Sequence, residues 1–188
     1  MLKKTVLLVF MMALCAFAHA QTTDEVYDKY ADFNLALLQN EHDKALTLGE
    51  QILPDSAKLL QKARTSFYNG LAKLYEDDSQ SIKAIIYYNR VAAAQPNYYV
   101  AHRALGYLYI KDISGKPVNQ IVVDDAYINK VKKALPHLEK AQACDPSDET
   151  LALIKLLYRN IKDERDLNTL PARLNELKKN CVDILSDQ

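Results

Sequence analysis

The sequence predicts an all-α protein, and three observations predict it. Glycine is scarce, with 4 in 188 residues, while Ala, Leu, Lys and Glu abound, a composition that favours helices throughout. No segment alternates apolar and polar residues for more than four or five positions, so no strand is expected. A helical pattern also recurs 34 residues apart.

Each helix has its own justification. Thr22 and Glu25 can form a capping box for a first helix that runs to about Gln39, with Tyr27, Tyr30, Phe33, Leu37 and Leu38 at helical spacing. After the turn Asn40–Asp43, a second helix from Lys44 to about Leu53 is stopped by Pro54. A third, from Ser56 to about Tyr75, carries Leu59, Leu60, Ala63, Phe67, Tyr68 and Leu71. Asp77, Asp78 and Ser79 break it, and a fourth runs from about Gln80 to Ala94. Pro96 and Asn97 separate that helix from a fifth, Tyr98 to about Lys111. The irregular stretch 112–125 follows, and Asp124 or Asp125 then caps a helix to Ala143 in which Pro136 predicts a kink or break. Asp145–Asp148 makes a corner before a helix from Glu149 to about Ile161. The last helix is expected over 170–186, with Pro171 in its first turn and Leu170, Leu174, Leu177, Cys181 and Ile184 as one apolar stripe.

The repeat is specific. Tyr68, Leu71, Ala72 and Tyr75 recur as His102, Leu105, Gly106 and Tyr109. Ala84, Tyr88, Val91 and Pro96 recur at the same internal spacing as Ala134, Leu138, Ala141 and Pro146. A third copy of the first pattern is Leu151, Ile154, Lys155 and Tyr158, with lysine at the small-residue place. Small residues are wanted where two antiparallel helices cross, and tyrosines fill the wedge beside each crossing. This pattern resembles the tetratricopeptide repeat. The clearest copies span 65–98 and 99–148, the second with 16 extra residues between its helices; the resemblance extends over roughly 130 residues, by the repeat length of 34. The pair Tyr27 to Leu53 matches less well, because Gly49 stands where an aromatic belongs. The resemblance implies a solenoid of stacked antiparallel helix pairs, a right-handed superhelix whose inner groove is lined by the first helix of each pair. The helix at 170–186 would be its C-terminal cap.

Residues 1–20 read as a cleaved signal peptide. Lys3 and Lys4 precede the apolar run Val6–Ala18, and Ala18-His19-Ala20 has the shape a signal peptidase accepts. The run is shorter than the roughly 20 residues of a spanning helix, so an uncleaved anchor is the weaker reading. A lipoprotein is weaker again, since Cys15 follows Leu14 rather than a small residue. The mature chain, 21–188, is then expected to be one helical domain, exported, and periplasmic in a Gram-negative cell. Without Lys3 and Lys4 it carries 22 basic against 24 acidic residues, a balance that argues against a nucleic-acid partner. Cys144 and Cys181 remain; they either form a disulfide in an oxidising compartment or stay as two buried thiols.

The residues that carry chemistry are sparse. His42, His102 and His137 are scattered, with no metal-ligand spacing, and His102 stands at a packing position of the repeat. No glycine-rich phosphate loop and no nucleophile motif occurs. Asp77-Asp78 and Asp124-Asp125 read as helix ends rather than acid–base pairs. No cofactor, metal or catalytic residue is implied, and the chain is not expected to be an enzyme.

Binding is the expectation that remains. Asn69 and Lys73 lie one turn apart on the first helix of their pair, and Arg103 and Tyr107 are their equivalents 34 residues on. The resemblance places these four on the inner groove. There Arg103 and Lys73 would hold a carboxylate and Tyr107 would offer a flat contact with a polar tip. The family's carboxylate clamp is kept only in part, with Leu156 replacing a polar residue in the third copy. The expected function is an exported scaffold or adaptor that holds a protein or peptide partner in this groove. Two alternatives stand beside it. One is a structural subunit of an envelope assembly that binds by its outer faces or by the insertion 112–125, where Ile121, Val122 and Val123 form a docking edge or tuck against the next helix. The other is a helical protein that binds a small ligand.

Overall fold

The computed structural model describes residues 21–113 and 122–183. The signal peptide expected over 1–20 lies outside the described residues, as do most of the insertion and the end of the helix expected over 170–186. Among the described residues the protein is all-helical, with eight α-helices, one 3-10 segment and no strand. None of these helices is long and apolar enough to cross a membrane. By their contacts the described residues divide into two compact units, which meet at Leu60/Gln61 in the sequence.

In the first unit, α1 (Thr23–Leu38) packs on α2 (His42–Ile52). The capping box is formed: Glu25 N–H donates to Thr22 Oγ1 (3.2 Å) and Thr22 N–H to Glu25 Oε2 (2.7 Å). Val26, Phe33 and Ala36 from α1 and Ala45, Gly49 and Ile52 from α2 are buried. Pro54 ends α2 as expected, but the chain continues as a 3-10 segment, Leu53–Lys58. Helical geometry thus stops at Leu59, and the third helix does not begin at Ser56 as the sequence suggested. Tyr27 OH, on α1, accepts from Leu60 N–H (2.9 Å) just beyond the 3-10 segment and so ties its exit back to α1.

The second unit holds α3 (Gln61–Asp77), α4 (Ser81–Ala94), α5 (Tyr99–Ile110), α6 (Asp125–Cys144), α7 (Asp148–Asn160) and α8 (Glu164–Leu177). The most extensive contacts are α3 on α4 and α5 on α6, the two pairs the repeat predicted, with α4 also against α5. Ala72, Ala84 and Ala134 are fully buried, and Tyr75 and Tyr88 are 2% and 3% exposed, so the small-and-aromatic code lies at the interfaces. Beyond them Ile110 at the end of α5 joins α6, α7 and α8 in a shared core with Tyr127, Val131, Leu138, Ile154 and Leu170.

One turn recurs. After α1, α3 and α7 the chain passes through a left-handed residue: Asn40 (φ 55°), Ser79 (φ 60°) and Lys162 (φ 58°). The next amide reaches back five residues in each: Glu41 to the Ala36 carbonyl (2.9 Å), Gln80 to Tyr75 (2.8 Å) and Asp163 to Tyr158 (3.0 Å). This is a Schellman-type exit, which satisfies helix-end carbonyls. The next helix begins two residues beyond the left-handed residue in each case. The same turn therefore serves the α1–α2, α3–α4 and α7–α8 links.

At two prolines the helix bounds differ from those expected. Pro136 does not break α6, which runs from Asp125 to Cys144 with the proline inside it. Pro136 and Lys132 are both exposed, so the Lys132 carbonyl that loses its donor is on the solvent side, where water can serve it. Pro171 does not open the last helix. Asp163 caps it, accepting from Asp166 N–H (3.1 Å), and Pro171 is interior to α8. The helix stops at Leu177, which leaves Cys181 outside the apolar stripe assigned to it.

Candidate binding face

The four groove candidates all belong to the second unit, on α3 and α5. Three are already engaged within the chain. Lys73 Nζ is paired with the Asp77 carboxylate one turn along α3. Arg103 reaches from α5 to the α6–α7 corner, where Nη1 donates to Asp145 Oδ2 (2.6 Å) and Nη2 to the Asp145 carbonyl (2.6 Å). Tyr107 OH lies 2.9 Å from Thr150 Oγ1 at the start of α7, with the Tyr107 residue 37% exposed. The ready-made carboxylate grip expected of Arg103 is therefore occupied by the chain's own Asp145. Leu156, on α7, is 39% exposed.

The fourth, Asn69, is different. Its Oδ1 is buried and has no hydrogen-bond partner. Two more orphaned atoms lie at the start of α5: Tyr98 OH, at the residue that precedes the helix, and Arg103 Nε, one turn into it. Tyr98 is fully buried. Burial above all pushes its phenol up to about 12, with Asp183 adding to the rise and the Asn69 side chain opposing it. The Asn69 side chain thus lies at the Tyr98 hydroxyl. Buried polar atoms normally find partners, and each unsatisfied one costs about 1–3 kcal/mol.

Sequence reasoning missed three polar constellations. His102 Nδ1 and His137 Nδ1 stand 2.9 Å apart, and His102 Nε2 lies 3.1 Å from the Pro96 carbonyl. A carbonyl only accepts, so Nε2 of His102 carries its proton, its Nδ1 accepts, and His137 donates from Nδ1. Burial holds both imidazoles below their usual range, His137 at about 4 with His102 as a second cause. Among the described residues no group of three or more His, Cys, Asp or Glu could hold a metal.

The second constellation joins α6, α7 and α8. Arg173 donates to both Glu139 oxygens (Nη2 to Oε1, 2.7 Å; Nε to Oε2, 3.0 Å) and to Tyr158 OH (2.9 Å), while Tyr158 donates to Glu139 Oε1. Glu139 is 4% exposed. Every charged oxygen in this cluster has a donor, so it reads as a tie between helices rather than as a reactive acid. The third is Lys140, 5% exposed, whose Nζ donates to Asn97 Oδ1 (3.0 Å) and to the carbonyls of Leu177 (3.2 Å) and Asn180. A Glu or Lys on an amphipathic helix reads as surface from sequence. Their burial follows from partners 34 to 43 residues away, which no local pattern encodes.

Cys144 and Cys181 are joined in a disulfide, with Cα atoms 5.5 Å apart. In the insertion, Val122 and Val123 are 74% and 45% exposed, so neither tucks against α6; Ile121 lies outside the described residues. Comparison with known proteins found no family model that matches the chain, and neither a curated protein nor a solved structure with significant similarity.

Proposed function

We propose that this chain is an exported scaffold of tetratricopeptide type that holds an extended segment of a partner protein against α3 and α5. The supporting pattern is the pairing of α3 with α4 and α5 with α6 at the positions the repeat specifies, together with the recurring helix exits. In such a solenoid the first helices line the concave side. The observation that carries the binding reading is the set of orphaned atoms Asn69 Oδ1, Tyr98 OH and Arg103 Nε. Asn69 Oδ1 beside the Tyr98 hydroxyl, with the cationic Nε of Arg103 one turn further along α5, are groups that a peptide backbone, with its donors and acceptors, could satisfy. A partner carboxylate would have to compete with Asp145 for Arg103, and that competition is a means of selectivity.

Tyr98→Phe tests this with little disturbance, because it removes only the unpartnered hydroxyl. Crosslinking mass spectrometry on producing cells would compare wild type, Tyr98→Phe and a Lys73→Ala/Arg103→Glu variant. The expected result is capture of an envelope protein by the wild type and its loss in both variants, with the free Tyr98→Phe protein as stable as wild type or more so. Undiminished capture by both variants would sink the groove reading.

A second reading has one observation in its favour. Ile82 and Ile86, one turn apart on α4, are 79% and 47% exposed, an outer apolar strip of the kind an envelope subunit would dock with. Ile82→Lys/Ile86→Lys abolishing capture, with the groove variants unaffected, would favour it.

A further inference from the structure

Beyond α8 the chain does not continue as helix. Residues 178–183 form a short strap against the start of α5, and three attachments hold it. Cys181 is bonded to Cys144, the last residue of α6. Lys140, one turn earlier on α6, takes the carbonyls of Leu177 and Asn180. Val182 N–H donates to the Asn97 carbonyl (2.9 Å), and Val182 forms a parallel bridge with Tyr98.

What lies under the strap is poorly suited to burial. Among the described residues Lys140 meets three neutral oxygens and no carboxylate, and burial pushes its ammonium below the usual range. Tyr98 is enclosed with its hydroxyl unpartnered. Groups of this kind favour hydration, so they oppose closure. The covalent link opposes them in turn, since it keeps the strap's effective concentration at its seat high. Cys181 is exposed and Cys144 half-buried, so one sulfur of the bond is open to an attacking thiolate.

We propose that the Cys144–Cys181 disulfide is a redox-operated latch, closing the 178–183 strap over Asn97, Tyr98 and Lys140 when oxidised and freeing it when reduced. The reductant is a dithiol. One thiolate attacks Cys181 Sγ, the Cys144–Cys181 bond breaks, and Cys144 leaves as a thiolate that takes up a proton. The second thiol of the reductant then displaces Cys181 and leaves as its own disulfide, so two electrons pass to the protein. Release uncovers an ammonium, a phenol and a carboxamide beside an open backbone edge at Asn97–Tyr98. The strap's own backbone uses that edge in extended form, so the same edge suits another extended peptide. This last step rests on the binding reading above, whereas the opening itself does not.

The test compares the oxidised full chain with the same protein under dithiothreitol, and with Cys144→Ser/Cys181→Ser. Lys140 acylation by an N-hydroxysuccinimide ester and exchange of the Val182 amide are read by mass spectrometry. The expectation is at least a tenfold rise in both on reduction, with helicity unchanged and the amides of α3 and α4 still protected, though less than before because global stability falls as well. Equal protection before and after reduction would overturn the latch, because the strap would then sit without it. Loss of helicity throughout would overturn it too, since the disulfide would be a staple of the whole unit. A synthetic peptide with the sequence of residues 178–183, serine replacing its cysteine, is then added to the double variant. Opening without peptide binding leaves the latch standing and removes the peptide reading.

Discussion

A methyl group on Gly106 would lie 2.6 Å from Leu138 Cδ2, 2.7 Å from Leu138 Cγ and 3.2 Å from the Leu138 amide nitrogen. This is the crossing of α5 and α6, and Leu138 is fully buried. Gly106→Ala should therefore destabilise by about 1–3 kcal/mol through overpacking, despite the roughly 1 kcal/mol by which alanine favours a helix. With Leu138→Ala as background the two closest contacts are gone and only the 3.2 Å approach to the residue-138 backbone nitrogen remains, so the same change should cost clearly less. Urea denaturation of the four proteins in this cycle measures the difference; an equal cost in both backgrounds would contradict it.

Arg173 gives a second prediction. Arg173→Ala leaves the Glu139 carboxylate buried and without its bidentate partner, and should cost about 3–5 kcal/mol. Replacing the cluster together, with Glu139→Leu, Tyr158→Phe and Arg173→Leu, should cost far less than the single change. Denaturation midpoints decide, and additive losses would show that the burial of Glu139 is not the cause.

The histidine pair predicts a pH dependence. The unfolded His137 protonates near 6.5 and the folded one near 4, because of burial first and His102 second. Between those values the unfolded state binds more protons. Stability is therefore complete above about pH 6.5 and declines as pH falls toward about 4. The decline attributable to this residue is about 1–3 kcal/mol. In His137→Phe the slope over that window should flatten, whatever its stability at neutral pH. An unchanged slope from pH 6.5 to 4.5 would assign it to other groups.

The disulfide predicts an effect of its own on global stability. It spans 37 residues, and removing such a link from the unfolded chain costs about 3–4 kcal/mol on the loop-entropy estimate. Cys144→Ser/Cys181→Ser should lower the urea midpoint accordingly, with the same denaturant slope if the unfolded state expands little.

Much of this fold was legible because packing in helix pairs writes itself into local sequence. Ala72, Gly106, Ala84 and Ala134 had to be small, and their spacing located the crossings before any coordinates. The start of α3 was misplaced because the apolar Leu59 and Leu60 fit a helical period that the 3-10 segment at Pro54 had already ended. Pro136 and Pro171 misled for another reason: a proline is tolerated inside a helix when the carbonyl it deprives is on an accessible face, and exposure is a tertiary property. The candidate face was less legible. Asn69, Lys73, Arg103 and Tyr107 were placed on α3 and α5, but Asp145 and Thr150, which engage Arg103 and Tyr107, come from a corner more than forty residues away. Lys140 and Glu139 could not be distinguished from solvated surface until the segments that cover them were in place.

The left-handed exits at Asn40, Ser79 and Lys162 have a practical meaning for anyone who would rebuild this chain. They act as one interchangeable connector, three residues long, between successive helices in three places. The link from α5 to α6 is where the chain departs from that connector and grows by insertion. Excising residues 111–124 and splicing in Asp78-Ser79-Gln80 should give a shorter protein whose α5–α6 link matches these three, with α5 still lying on α6. Glycine at each left-handed position would then relieve the cost that asparagine, serine and lysine bear there, so this natural chain contains the template for a regularised, modular version of itself.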